Sequence, residues 1–190
     1  MEKARGAMPR TFFYISDMTL TVWTIGHSTR TADDFRDTLV AYDIEALVDV
    51  RRFPGSRRLP QFASQTLATD LERAGIAYAW LPSLGGRRRA SPDSINGAWR
   101  NDAFRAYADH IATEEFADGL FDLLMIANGL RTAVMCAEVL WWRCHRRLIS
   151  DVLVSIGLEV VHIRDAKHSE LHRLTPPARI VAGRLTYAEG

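Results

Sequence analysis

Apolar positions in this chain fall in short unbroken runs separated by stretches with a helical period. Leu20-Thr21-Val22-Trp23-Thr24-Ile25, Ala46-Leu47-Val48-Asp49-Val50, Ile76-Ala77-Tyr78-Ala79-Trp80-Leu81, Thr132-Ala133-Val134-Met135 and Leu158-Glu159-Val160-Val161-His162-Ile163 read as five strands. Runs apolar at consecutive positions suit strands covered on both faces, as in a parallel sheet. After the first strand, Thr31 caps a helix whose first turn holds Asp33 and Asp34 and whose stripe is Phe35, Leu39 and Val40. Further helices are predicted over Ser64 to Ala74, stopped by Gly75, and over Asp102 to Ile111. Two more cover Glu115 to Ala127, stopped by Asn128-Gly129, and His145 to Ile156, with Leu148, Ile149, Val152, Leu153 and Ile156 on one face.

Strands alternating with helices predict an α/β fold: a single-domain, mostly parallel five-stranded sheet with helices on both faces, Rossmann-like and doubly wound. The strand order expected from alternation is 3-2-1-4-5, with the first and fourth strands neighbours at the switch point where such sheets bind ligands. Residues 1–17 lack a period and are expected to form a disordered leader to a domain over 18–190. Two irregular segments follow strands, Arg51 to Pro60 and Pro82 to Trp99, each marked by proline and glycine. Beyond Asp165 the pattern fades, with Arg184 to Tyr187 expected as a late edge strand or a docked tail.

Composition narrows the function classes. With 190 residues, 47% of them apolar, and a net charge of +1, the chain can bury one substantial core and lacks the basic surplus of a dedicated nucleic-acid binder. No apolar run is long enough to span a bilayer, so no membrane partner is expected. Two cysteines cannot form a disulfide scaffold, and no segment reads as a secretory signal, so the expected location is cytoplasmic. Among 24 basic positions only Lys3 and Lys167 are lysines, and residues 51–100 hold nine arginines against Asp70, Glu72 and Asp93. That basic middle suits a small anionic ligand, or nucleic acid, or is a solvated face.

Chemistry-bearing residues gather at predicted strand ends. Cys136-Ala137-Glu138 and Cys144-His145-Arg146 place both cysteines, an acid, an imidazole and a guanidinium around one strand-to-helix connection. Cys136 is the expected nucleophile, since nearby positive charge stabilises a thiolate, although a cysteine ending an apolar strand is also an ordinary packing residue. Glu138 is an acid/base candidate or an arginine's ion-pair partner, and His27 a proton-transfer group or a histidine held for structure. Asp49, inside an apolar run, needs a charged or hydrogen-bonding partner. Six residues separate Cys136 from Arg143, one more than in the Cys-x5-Arg anion loops of tyrosine phosphatases. Cys136, Cys144, His145, Glu138 and His27 include metal-ligand types, but the spacing lacks a C-x2-C knuckle and no metal is assigned. No glycine-rich phosphate or dinucleotide signature is present, so the cofactor is unknown. A reversible Cys136–Cys144 disulfide would require the loop to fold back.

Taken in order, Thr24-Ile25-Gly26-His27-Ser28, Val48-Asp49-Val50-Arg51 with Pro54, Ser56 and Arg57, Leu84-Gly85-Gly86, and Met135-Cys136-Ala137-Glu138 through Cys144-His145-Arg146 resemble the family called domain of unknown function 488. The resemblance runs from about Trp23 to His162 and implies an α/β domain; it marks residues without supplying a reaction.

The expectation is therefore an enzyme of unassigned reaction acting on a small anionic substrate at the carboxyl edge of the sheet. Cys136, Glu138 and His27 are the candidate catalytic residues. Ser28, Asp49, Arg51, Arg57, Gly85, Gly86, Cys144, His145 and Arg146 are the candidate binding residues. The alternatives are a nucleic-acid-binding module using residues 51–100, with Trp99, Trp141 and Trp142 stacking on bases, or a non-catalytic adaptor.

Overall fold

The computed structural model describes residues 20–55, 57–89 and 91–189; the expected leader lies outside them. Among the described residues, five α-helices surround a six-stranded sheet. The strands are β1 (Thr21–Gly26), β2 (Ala46–Asp49), β3 (Ala77–Trp80), β4 (Thr132–Cys136), β5 (Glu159–Ile163) and β6 (Ser169–Leu171). The helices are α1 (Ala32–Ala41), α2 (Ser64–Arg73), α3 (Asp102–Ile111), α4 (Glu114–Gly129) and α5 (Arg146–Ser155). A separate hairpin pairs β7 (Arg179–Val181) with β8 (Arg184–Thr186). The α/β architecture follows the hydrophobic pattern, including the α1 cap, where the Thr31 hydroxyl accepts from the Asp34 amide at 3.1 Å.

Strand order corrects the expectation. The sheet runs β3-β2-β4-β1-β5-β6, parallel except for β6, so β4 sits between β2 and β1 instead of outside β1. The first and fourth strands remain neighbours, but β1 no longer touches β2. Alternation and handedness allow either order, because a right-handed crossover can pass over one strand or none. Right-handed crossovers carry the chain from β1 over β4 to β2 and on to β3 on one face, then back over β2 to β4 and over β1 to β5 on the other. The two apolar layers record this division. Trp23, Ile25, Leu47, Ala133 and Met135 pack with Phe35, Leu39, Leu67 and Leu71 of α1 and α2, while Val22, Val48, Val134 and Val160 pack with residues of α3, α4 and α5. Neighbouring positions on a strand thus serve opposite layers, which is why the strands are apolar throughout.

Residues 184–187 split between the two expected roles: β8 pairs outside the main sheet, and Tyr187 docks its hydroxyl on buried Asp151 at 2.9 Å. Among the described residues, no helix is long and apolar enough to cross a membrane.

Candidate functional site

The central position of β4 sets the site. At its end, Cys136 lies beside Gly26 in register, and its carbonyl accepts from the His27 amide at 3.0 Å. The following segment crosses so close to β1 that a Cβ on Gly26 would stand 1.9 Å from the Glu138 carbonyl oxygen, so only glycine fits there. A single turn at Trp141–Arg143 then folds the chain back. This return brings Cys144 Sγ to 2.8 Å from Cys136 Sγ, with both thiols free and with exposures of only 6% and 2%.

Arg146, the first residue of α5, is 1% exposed. Its Nε donates to Cys136 Sγ at 3.1 Å, and its backbone amide points at Cys144 Sγ at 3.5 Å. The remaining donors go to Thr24 Oγ1 at 3.2 Å and to the carbonyls of Glu138 and Val139. None of these acceptors is a carboxylate. A buried cation needs a counter-charge, and the ionisable groups in contact with this one are the two sulfurs. Burial alone would disfavour the Arg146 cation, but the cysteines more than offset it and raise its pKa. Burial likewise opposes ionisation of Cys144, yet the hydrogen bond from Cys136 and the Arg146 charge bring it down to about 6. Cys136, desolvated and bonded to Cys144, is raised well above an ordinary thiol. The pair therefore loses one proton easily and the second with difficulty, and the remaining proton is shared between the sulfurs.

Cys144 and Cys136 line a cavity of about 620 Å³. Its described walls are Arg51, Arg52 and Phe53 after β2, Gly86 and Arg87, the start of α3 with Phe104 and Tyr107, and Glu138 with Trp142, Arg143 and His145. Arg52, Arg87 and Arg143 have no ion-pair partner among the described residues, while Glu138 is the one carboxylate of the described wall. His145 Nε2 lies 3.2 Å from the Val50 carbonyl. A carbonyl only accepts, so the proton sits on Nε2, and Nδ1 presents its lone pair to Cys144 Sγ at 3.4 Å. Burial lowers the His145 pKa, which keeps the ring neutral. Gly86 backs that ring; a Cβ there would come 2.9 Å from Nδ1.

A second polar cluster lies beneath the cavity. Arg51 grips the fully buried Asp49 carboxylate through Nε at 2.9 and 3.0 Å and Nη2 at 2.6 Å, while Tyr78 donates to the same carboxylate at 2.7 Å. Arg51 Nη1 donates to the Phe62 carbonyl at 2.9 Å and faces His27 Nε2 at 3.3 Å. His27 Nδ1 donates to the Ser28 carbonyl at 2.8 Å, and its ring stacks on Phe62 with centroids 4.2 Å apart. Burial, opposed by the Ser28 carbonyl, lowers the pKa of His27. His27 and Ser28 do not line the cavity, because β4 separates β1 from β2 and the His27 ring belongs to the α1–α2 side.

The structure thus gathers Cys136, Cys144, His145, Glu138 and Gly86 at the cavity, with Arg51 at its floor. Arg146 is sealed beneath the sulfurs, Gly85 packs its backbone against Arg52, and Arg57 is exposed away from the cavity. Trp99, expected to stack on bases, is instead buried under the Arg147 guanidinium, 4.7 Å from its ring. Trp141 stacks on His162 at 4.1 Å, leaving only Trp142 at the cavity wall. Arg52, Arg143, Tyr107 and Thr24 carry no site role in the sequence reading. The three arginine-bearing loops carried the signal of basic residues next to strand ends, whereas nothing local marks Thr24 or Tyr107. Among the described residues, no three His, Cys, Asp or Glu side chains gather as a metal cluster would require.

A family model described as domain of unknown function DUF488 matches residues 31–153. Neither a curated protein nor a solved structure matches the chain.

Proposed function

Because the chain belongs to the DUF488 family, whose description carries no reaction, we propose from the site itself that the protein is a thiol-dependent enzyme acting on a small anionic substrate. The supporting observation is the buried Arg146 cation, which has sulfur and neutral oxygens for partners and no carboxylate. A thiolate is the nucleophilic form of cysteine, and this arrangement favours it at neutral pH. Cys144 is the attacking sulfur, since it lines the cavity and meets the His145 lone pair. Cys136, behind it, spreads the charge and keeps the shared proton. His145 takes up the proton of a thiol or bound water beside Cys144, and Glu138 is the carboxylate available to a substrate at the mouth. Arg52, Arg87 and Arg143 supply positive potential for the anion, and the cavity has the size of a small-molecule site.

Alkylation tests this directly. Iodoacetate, an anion, and iodoacetamide, its neutral counterpart, are compared on the native protein and on free glutathione across pH. The expected result is labelling of Cys144 with a midpoint near pH 6. Relative to glutathione, the anionic reagent should be favoured by roughly tenfold at low salt, a preference that salt, R52M or R143M erases. C144S should abolish the labelling. An ordinary thiol midpoint, or indifference to reagent charge, would end this reading.

A further inference from the structure

A chain of buried polar side chains runs from the dithiol to the far side of α5, and the reaction proposed above makes no use of it. Arg146 Nη1 donates to Thr24 Oγ1 at 3.2 Å; Thr24 Oγ1 lies 2.7 Å from His162 Nδ1. His162 Nε2 lies 2.9 Å from His172 Nδ1, and His172 Nε2 lies 3.0 Å from Asp151 Oδ1. All of these residues are buried. Asp151 is also fixed by the Thr175 amide at 2.9 Å, the Thr175 hydroxyl at 2.6 Å and the Tyr187 hydroxyl at 2.9 Å.

Donor and acceptor types give this chain one direction. A carboxylate only accepts, so Asp151 requires the His172 proton on Nε2, which in a neutral ring makes Nδ1 the acceptor. His162 must then donate from Nε2 and accept at Nδ1, and the Thr24 hydroxyl is the donor there. Burial and the neighbouring His172 lower the His162 pKa to about 2, so the ring stays neutral, as this pattern requires. With its hydrogen committed to His162, Thr24 Oγ1 can offer Arg146 only a lone pair. Reversed polarity would leave the buried Thr24 hydrogen with no acceptor among its contacts, a cost that this direction avoids.

We infer that Asp151 acts through His172, His162 and Thr24 to hold the Arg146 guanidinium on the cysteine pair, so that the C-terminal segment supplying His172, Thr175 and Tyr187 is a positioning part of the thiol site. The inference rests on the reading of that pair as the reactive centre. The family match ends at residue 153, so Thr24, His162, His172 and Tyr187 lie outside it. Trp141, from the turn between the two cysteines, stacks on His162 and donates to Glu170 at 2.8 Å, which ties the same loop to the chain.

The test is the pH profile of Cys144 alkylation by iodoacetamide in T24V, T24S and D151N, with the histidine tautomers of the native protein read from ¹⁵N chemical shifts. T24V and D151N should move the midpoint up by about one pH unit, about fivefold slower labelling at pH 6, whereas T24S should stay within about twofold of native. Both His162 and His172 should be neutral Nε2–H tautomers. A shift in T24V with none in folded D151N would overturn the inference in favour of a local contact at Thr24. So would an Nδ1–H tautomer or an imidazolium at either histidine, a readout that holds even where a variant does not fold. Unshifted variants on a native midpoint near 6 would overturn the chain and leave the reactive thiol standing. An ordinary native midpoint would remove both.

Discussion

Two arginines are buried at the carboxyl edge of the sheet, Arg51 at 7% exposure and Arg146 at 1%, and the protein neutralises them by different means. Arg51 is held by a carboxylate, Asp49, with Tyr78 completing its hydrogen bonds. Its charge is spent within the scaffold, and burial, which would lower its pKa, is outweighed by Asp49. Arg146 has sulfur in the place of that carboxylate. A carboxylate is ionised at neutral pH wherever a cation faces it, whereas a thiol ionises only if the cation makes it do so. The first cluster is therefore a structural ion pair, and the second is one whose anion faces a cavity and, in the function proposed, is the nucleophile.

The comparison breaks most visibly when each cation is removed. R51M leaves the Asp49 carboxylate charged and sealed, and should cost about 3–5 kcal/mol, read as a lower urea midpoint. R146M lets the thiols take back their proton, so the stability loss should be smaller and the Cys144 alkylation midpoint should rise above pH 8. Equal stability losses with unchanged alkylation would erase the distinction.

Acid should act on the thiol cluster. The Cys144 thiol falls from its ordinary 9.0 to about 6. An acidic group with a depressed folded pKa adds stability that is complete above its unfolded value and is lost as pH falls through the folded one. Stability should thus decline between pH 9 and 6, by on the order of 3 kcal/mol. Urea midpoints over this range should slope in the native protein and flatten in the C136S/C144S double variant.

Smaller changes sharpen the contrast. G86A sets a methyl 2.9 Å from His145 Nδ1, and should cost about 1–3 kcal/mol and slow Cys144 alkylation as the ring is displaced. Y78F deletes one hydrogen bond to Asp49. It should lower stability by about 1 kcal/mol and leave the alkylation profile of Cys144 as it was.

Much of this organisation is legible in one dimension. Consecutive apolar runs require covered strands, Thr31 and Gly75 punctuate helices, and a buried aspartate within Ala46–Val50 demands a cationic partner, which Arg51 provides two residues on. These are local rules, in which the energy of a residue depends on its near neighbours in the chain. The crowding of Cys136, Glu138, Cys144 and His145 is of the same kind, since one strand-to-helix connection carries them all.

The order of the strands is not local. Right-handed crossovers allow β4 on either side of β1, so its place between β2 and β1 is a property of the whole sheet. That placement sends His27 to the α1–α2 side and leaves the cavity to arginines from three loops. It also makes Thr24, 122 residues before Arg146, the contact that seats the guanidinium. Sequence alone determined which segments form strands and helices and which residue types stand at their ends, because backbone propensity and hydrophobic period act over a few residues. Which of those ends face one another, and hence which arginine meets a carboxylate and which a thiol, was decided only in the folded molecule, where burial removes water as the alternative partner for every charge.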